Sequence, residues 1–153
     1  MAAEEALVSG LEAIGAGDVS LADALGMKRQ VLDVLLEKAL GLVTFGKHEQ
    51  AESELSRLTL VDGRSPLPPF ALGALLAEKK QFQAAIEAYE QAEARAEKLG
   101  SRAMVARVAL CKGHAFMALG EADSARIAFT TAKTQGEPAI AKDAIKLLEV
   151  LGS

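Results

Sequence analysis

Tryptophan is absent from the chain, cysteine occurs once, and aromatic residues make up only 4% of it. With Cys111 as the sole thiol, no internal disulfide can form, and a reducing, cytoplasmic location is expected. No stretch approaches the ~18 uninterrupted apolar residues of a membrane span, so no membrane insertion is expected. The opening residues, MAAEEALVSG, are acidic and lack the apolar run of a secretory signal. Formal net charge is −4, without the basic stripe that a nucleic-acid partner requires. No segment carries a persuasive strand pattern. Half of the 153 residues are apolar, and Ala and Leu supply most of that share. Such a composition suits close helix–helix packing. The length allows one domain or a short array of repeats around a continuous core.

Internal periodicity decides between these. When residues 46–58, 79–92 and 119–132 are aligned, Ala51, Ala85 and Ala125 fall into register. Twelve residues before each stands a small residue: Ala39, Gly73 and Gly113. Four residues after each stands a larger one, Leu55, Tyr89 and Phe129, and three further on come Leu58, Ala92 and Ala132. Helix backbones approach closely only where side chains are small. A bulky residue one turn along the same face then fills the groove beside the contact. From Ala51 to Ala85 the period is 34 residues, that of the tetratricopeptide repeat. From Ala85 to Ala125 it is 40, and the run around Gly100 absorbs the extra residues as helical turns. The chain resembles a three-repeat tetratricopeptide array over residues 32–65, 66–99 and 106–138. That resemblance implies an all-α fold of three tandem helix pairs forming a short curved solenoid. A helical extension over 1–31 would precede it, and a capping helix over 139–153 would cover its last apolar face.

Residues 41–48, GLVTFGKH, come within one residue of the phosphate-cradling G-x-x-x-x-G-K-[ST] loop. That loop needs a strand before it and a hydroxyl after the lysine to hold magnesium. Residues 31–45 are apolar on a helical period instead, and His48 replaces the hydroxyl. Gly46 is therefore an inter-helix turn, at the position that Lys80 and Gly120 hold in the other repeats.

The remaining pattern predicts an amphipathic helix over 3–14 with Leu7, Leu11 and Ile14 on one face, broken by GAGD at 15–18. Ser20 or Asp18 caps a short helix through Leu25. Helices follow at about 28–45, 48–60, 67–79, 82–98, 102–118 and 122–134. In the connector at 61–69, Ser65 is a candidate cap with Pro66 at the first helical position. GEP at 136–138 stops the last repeat, and 139–151 forms a terminal helix with Ile140, Ala144, Leu147, Leu148 and Leu151 toward one side.

In such an array the first helix of each pair lines the concave face. The expected lining is Leu36, Leu40 and Val43 in the first repeat and Phe70, Ala74 and Ala77 in the second. Leu110, His114 and Met117 line it in the third, with Asp33 and Glu78 at the edges and Arg107 on the third repeat. The Lys, Arg and Asn cluster that grips a C-terminal carboxylate is missing. An apolar lining suits an extended or helical peptide with bulky side chains at intervals. Met117 adds adaptability. The expected partner is thus a protein or peptide client, and no cofactor is expected. Cys111 and His114 have ligand-like spacing but no second pair nearby, so no metal is expected and Cys111 reads as a small buried hydrophobe. Glu78 and Glu97 form no acid–base pair, no Ser-His-Asp or Cys-His arrangement is implied, and no enzyme is expected.

The order of pieces narrows the partner further. A short acidic helix and a Gly-containing break precede ALGLVTFGKHEQAE (39–52), LTLVD (58–62) and FALGALLAEKKQFQAAIEAYE (70–90). Over about residues 5–138 this layout resembles the class II chaperones of bacterial type III secretion. The resemblance implies a cytoplasmic chaperone whose concave face holds a short N-terminal segment of a hydrophobic translocator, keeping it soluble before export. It also implies a homodimer contact through the N-terminal helices. A reading of another class is a tetratricopeptide scaffold or adaptor that links folded partners by its convex surface or its ends.

Overall fold

The structure is a computed structural model that describes Glu5 and residues 20–152. Apart from Glu5, the helix expected over 3–14, with Leu7, Leu11 and Ile14, lies outside the described residues, as does Asp18. The described residues contain helices and no strand. The chain divides into two compact units, Met1–Ser65 and Pro66–Ser153.

The first unit contains α1 (Leu21–Ala24), α2 (Arg29–Thr44) and α3 (His48–Val61). Ser20 caps α1 in a reciprocal box. Its Oγ accepts from the Asp23 amide at 3.2 Å, and the Asp23 carboxylate accepts from the Ser20 amide at 3.3 Å. Helix α2 packs on α3 through Leu32, Leu36 and Ala39 against Ala51, Leu55 and Leu58, all buried. The Arg29 guanidinium reaches the Asp62 carboxylate at 2.8 Å, which ties the start of α2 to the end of α3. Asp62 is buried. Desolvation works against the Arg29 charge, and its hydrogen bonds to Asp62 and Asp33 outweigh that, so the guanidinium is held more firmly protonated than usual.

Between α2 and α3 the chain reverses at Gly46, whose φ of 70° is left-handed. The Lys47 amide reaches back to the Leu42 carbonyl at 2.9 Å, the long-range bond of a Schellman turn. Lys80 and Gly120 make the same turn with φ of 60° and 77°. The Gln81 and Glu121 amides bond the Leu76 and Phe116 carbonyls, both at 2.9 Å. The near-match to a phosphate loop is thus a helix C-terminus.

The second unit contains α4 (Leu67–Glu78), α5 (Phe82–Lys98), α6 (Arg102–Ala118), α7 (Ala122–Gln135) and α8 (Pro138–Gly152). Each packs on the next, and α4 also touches α6 and α6 touches α8. Two glycines set the closest approaches. Gly73 of α4 lies against the Tyr89 ring of α5, and Gly113 of α6 lies against the Phe129 ring of α7. One core gathers Leu76, Ala85, Ile86, Tyr89, Ala92 and Val108. A second gathers Ala109, Ala125, Phe129, Ala132 and Ala144, with Ile140, Leu147, Leu148 and Leu151 of α8 packed against it. A half-sequestered ion pair between Glu93 and Lys112 joins α5 to α6.

The helix expected at about 67–79 starts at Leu67 as predicted, and only its cap differs from expectation. The N-cap of α4 is Pro66, not Ser65, and the first helical residue is Leu67. Ser65 is buried, and its amide donates to the Asp62 carboxylate at 3.4 Å, which turns it away from the helix. Pro68 and Pro69 then occupy the first turn, where an amide has no intrahelical acceptor to lose.

Candidate functional site

Of the residues expected to line a binding face, the middle one of each set is exposed and the last is half-buried in all three helix pairs. They sit on α2, α4 and α6 at intervals of three and four, so each set forms a stripe along its helix. In the first unit Leu40 is 42% exposed and Val43 is half-buried. In the second, Ala74 and His114 are exposed, while Ala77 and Met117 are half-buried. Phe70 and Leu110 are half-buried and rest on the two cores of that unit. Their rings and chains offer one side to solvent.

Leu36 departs from its set. It is only 7% exposed and belongs to the interior of the α2–α3 pair. It precedes Ala39 by three residues and so shares the side of α2 that faces α3. Leu36 is thus buried rather than presented to solvent.

The stripes are held by aromatic contacts. The Phe70 and Tyr89 ring centroids are 6.0 Å apart at an interplanar angle of 44°. His114 meets Phe129 edge-on at 5.6 Å. An aromatic pair of this geometry is worth about 0.5–1.5 kcal/mol beyond its buried area. His114 therefore combines a solvent-facing position with a fixed ring orientation.

Among the described residues no three His, Cys, Asp or Glu side chains cluster as metal ligands would. Burial pushes the Cys111 thiol up from its ordinary value, and the nearby Arg107 charge only partly opposes that. A protonated, half-buried thiol is a weak nucleophile. No described helix is long and apolar enough to cross a membrane.

The sequence did not single out other exposed apolar residues, among them Leu60 and Ile127, and Phe45 at 80% and Val34 at 63%, the last two on or beside α2. Their spacing of eleven residues places them on one side of the helix, away from the stripe of Leu40 and Val43.

No protein-family profile matches the chain, and no curated protein matches its sequence. Solved structures share its fold. A type III secretion (T3SS) complex from Aeromonas hydrophila aligns with a TM-score of 0.82 at 22% identity, covering 94% of this chain and 95% of that one. The type III secretion translocator chaperone SycD of Yersinia enterocolitica gives 0.75 at 19% identity, covering 86% of this chain and 98% of its own. PcrH, solved in complex with the chaperone-binding region of PopD, gives 0.74 at 20% identity, covering 83% of this chain and 95% of its own. The chain thus resembles these type III secretion proteins in fold over more than four fifths of its length.

Proposed function

We propose that this protein is a type III secretion chaperone. Its exposed apolar stripes take up a segment of a hydrophobic translocator and keep that client soluble until export. One observation carries this reading: the recurrence of an exposed position, Leu40, Ala74 or His114, beside a half-buried apolar neighbour in each of three helix pairs. A packing requirement alone would not keep those positions open. The fold likeness to PcrH, whose structure holds the chaperone-binding region of PopD, supports the same partner class.

The energetics are adequate. Burying one bulky apolar side chain of a client contributes roughly 1.5–3 kcal/mol. Three or four such anchors, less the cost of ordering an extended segment, reach about micromolar affinity or better. A client that would otherwise aggregate through those same side chains is thereby kept monomeric in the cytoplasm.

Leu40→Glu and Ala74→Glu test this, because both positions are exposed and tolerate the change without loss of core. Phe70→Glu is less informative, since that ring also packs on Tyr89. The wild-type protein purified from its native host should carry a protein with two long apolar helices. Each variant should keep its helical circular dichroism and lose at least about tenfold of that client, as an unpaired charge is forced against apolar anchors. If both variants retain every native partner, the reading fails and a scaffold acting through other surfaces replaces it.

A further inference from the structure

Arg107 is the only cation on the faces that α4 and α6 present around Ala74 and His114, and among the described residues it has no ion-pair or hydrogen-bond partner. Among the other arginines, Arg29, Arg57, Arg64 and Arg126 each face a carboxylate, and Arg102 is held by the Gln135 side chain at 2.9 Å. Among the described residues Arg107 makes no hydrogen bond and no ion pair. Helix α6 contains no acidic residue at all, so no neighbour one turn away can pair with it. Yet the chain is net acidic, and carboxylates are plentiful elsewhere. The charge stands alone at one end of the stripe formed with Leu110, His114 and Met117.

In water an unpaired guanidinium is well solvated. A segment laid along the stripe strips part of that water away, and the exposed charge then needs a carboxylate from the incoming chain. A segment offering Lys or Arg at the same place is repelled, which makes the site discriminating as well as attractive. On α6, Arg107 and Leu110 are one turn apart, about 5–6 Å between Cβ atoms. An extended chain covers that span in about two residues.

We infer that Arg107 selects client segments carrying an aspartate or glutamate within two residues of the bulky apolar side chain that seats beside Leu110 and His114. The inference rests on the proposed chaperone function and specifies its client. A single arginine without neighbouring donors suits a side-chain carboxylate rather than a chain terminus, which needs several.

Selection from a random dodecamer peptide display library tests it, using immobilised wild-type protein and the Arg107→Glu and Arg107→Ala variants. Arg107 is exposed and outside the core, so both variants fold. Wild type should enrich bulky apolar residues with Asp or Glu within two positions. Arg107→Glu should keep the apolar preference and exchange the acid for Lys or Arg. A synthetic peptide from the wild-type selection should bind Arg107→Ala about fivefold more weakly, the difference shrinking at high salt. Apolar enrichment with the same charge preference in wild type and Arg107→Glu overturns the inference and leaves the chaperone reading standing. No apolar enrichment with wild type overturns both.

Discussion

Tyr89 closes over Gly73 so tightly that a Cβ there would lie 2.6 Å from the ring's Cδ1 and Cε1. Gly113 stands in the same relation to Phe129, again with a Cβ at 2.6 Å from the ring's Cδ1. At the equivalent positions of the first helix pair stand Ala39 and Leu55, both fully buried. The pairing is systematic: glycine opposes an aromatic ring, and alanine opposes leucine.

Gly73→Ala is therefore expected to destabilise, although alanine is the better helix former. The propensity gain is about 1 kcal/mol. Overpacking against a ring that is itself buried costs about 1–3 kcal/mol. The net loss should appear as a lower urea midpoint. Combining Gly73→Ala with Tyr89→Leu recreates the Ala39–Leu55 combination, and the double variant should lose less than the two single losses summed. Strict additivity would show that the two sites do not share a contact.

Lys80 offers the opposite case. It is the one non-glycine among the described residues with left-handed backbone, at φ 60°. That conformation costs a non-glycine residue about 1–2 kcal/mol. Lys80→Gly relieves it and gives back roughly 0.5–1 kcal/mol through the freer unfolded chain. A net gain of about 0.5–1 kcal/mol is expected on thermal unfolding. Gly46→Ala should lose a similar amount for the mirror-image reason. No change in either variant would mean that the turn relaxes without strain.

Alkaline pH should weaken the second unit. Desolvation raises the Cys111 thiol above its ordinary 9.0, and it raises the Tyr89 phenol well above its ordinary 10.0. Groups that hold their protons more tightly when folded add stability below the unfolded values. That stability is lost as pH rises from 9.0 through the folded values. The thermal midpoint should fall progressively above that point. Tyr89→Phe should flatten the fall, and a fall of unchanged steepness in that variant would assign it to other groups.

The acid side carries a smaller, local effect. The Ser20 side-chain hydrogen bond is the main cause that holds the Asp23 carboxyl below its ordinary 3.8. The stabilisation of the α1 cap is therefore complete above that value and is lost as pH falls through the lower folded value. Hydrogen exchange at the α1 amides should accelerate there, and Ser20→Ala should abolish the transition.

Helix positions were legible because the intervals of twelve, four and three residues report a contact geometry directly. Small residues at 39, 73 and 113 announce where backbones meet, and the helices from 82 to 118 start and stop as the sequence predicts. The start of α4 at Leu67 was legible, but its cap was not, because Ser65 looks like a cap until Asp62 is known to accept from its amide, and that contact comes from the connector's folding. The burial of Leu36 was hidden for a related reason. Helical period separates faces by angle, and a residue between two faces is sorted only by what packs on it. The division of Leu40 from Leu36 depends on the position of α3, which no local pattern encodes. The solitary state of Arg107 was equally hidden, because it depends on which acids the tertiary fold brings near.

Helix α8 closes the second core by seating Ala144 in full burial beside Phe129 and Ala132. A version of the protein cut before Pro138 would therefore end in a sticky terminus. Such a shortened chain should join copies of itself into filaments or precipitate, so any expression boundary for biochemical work belongs after Leu151.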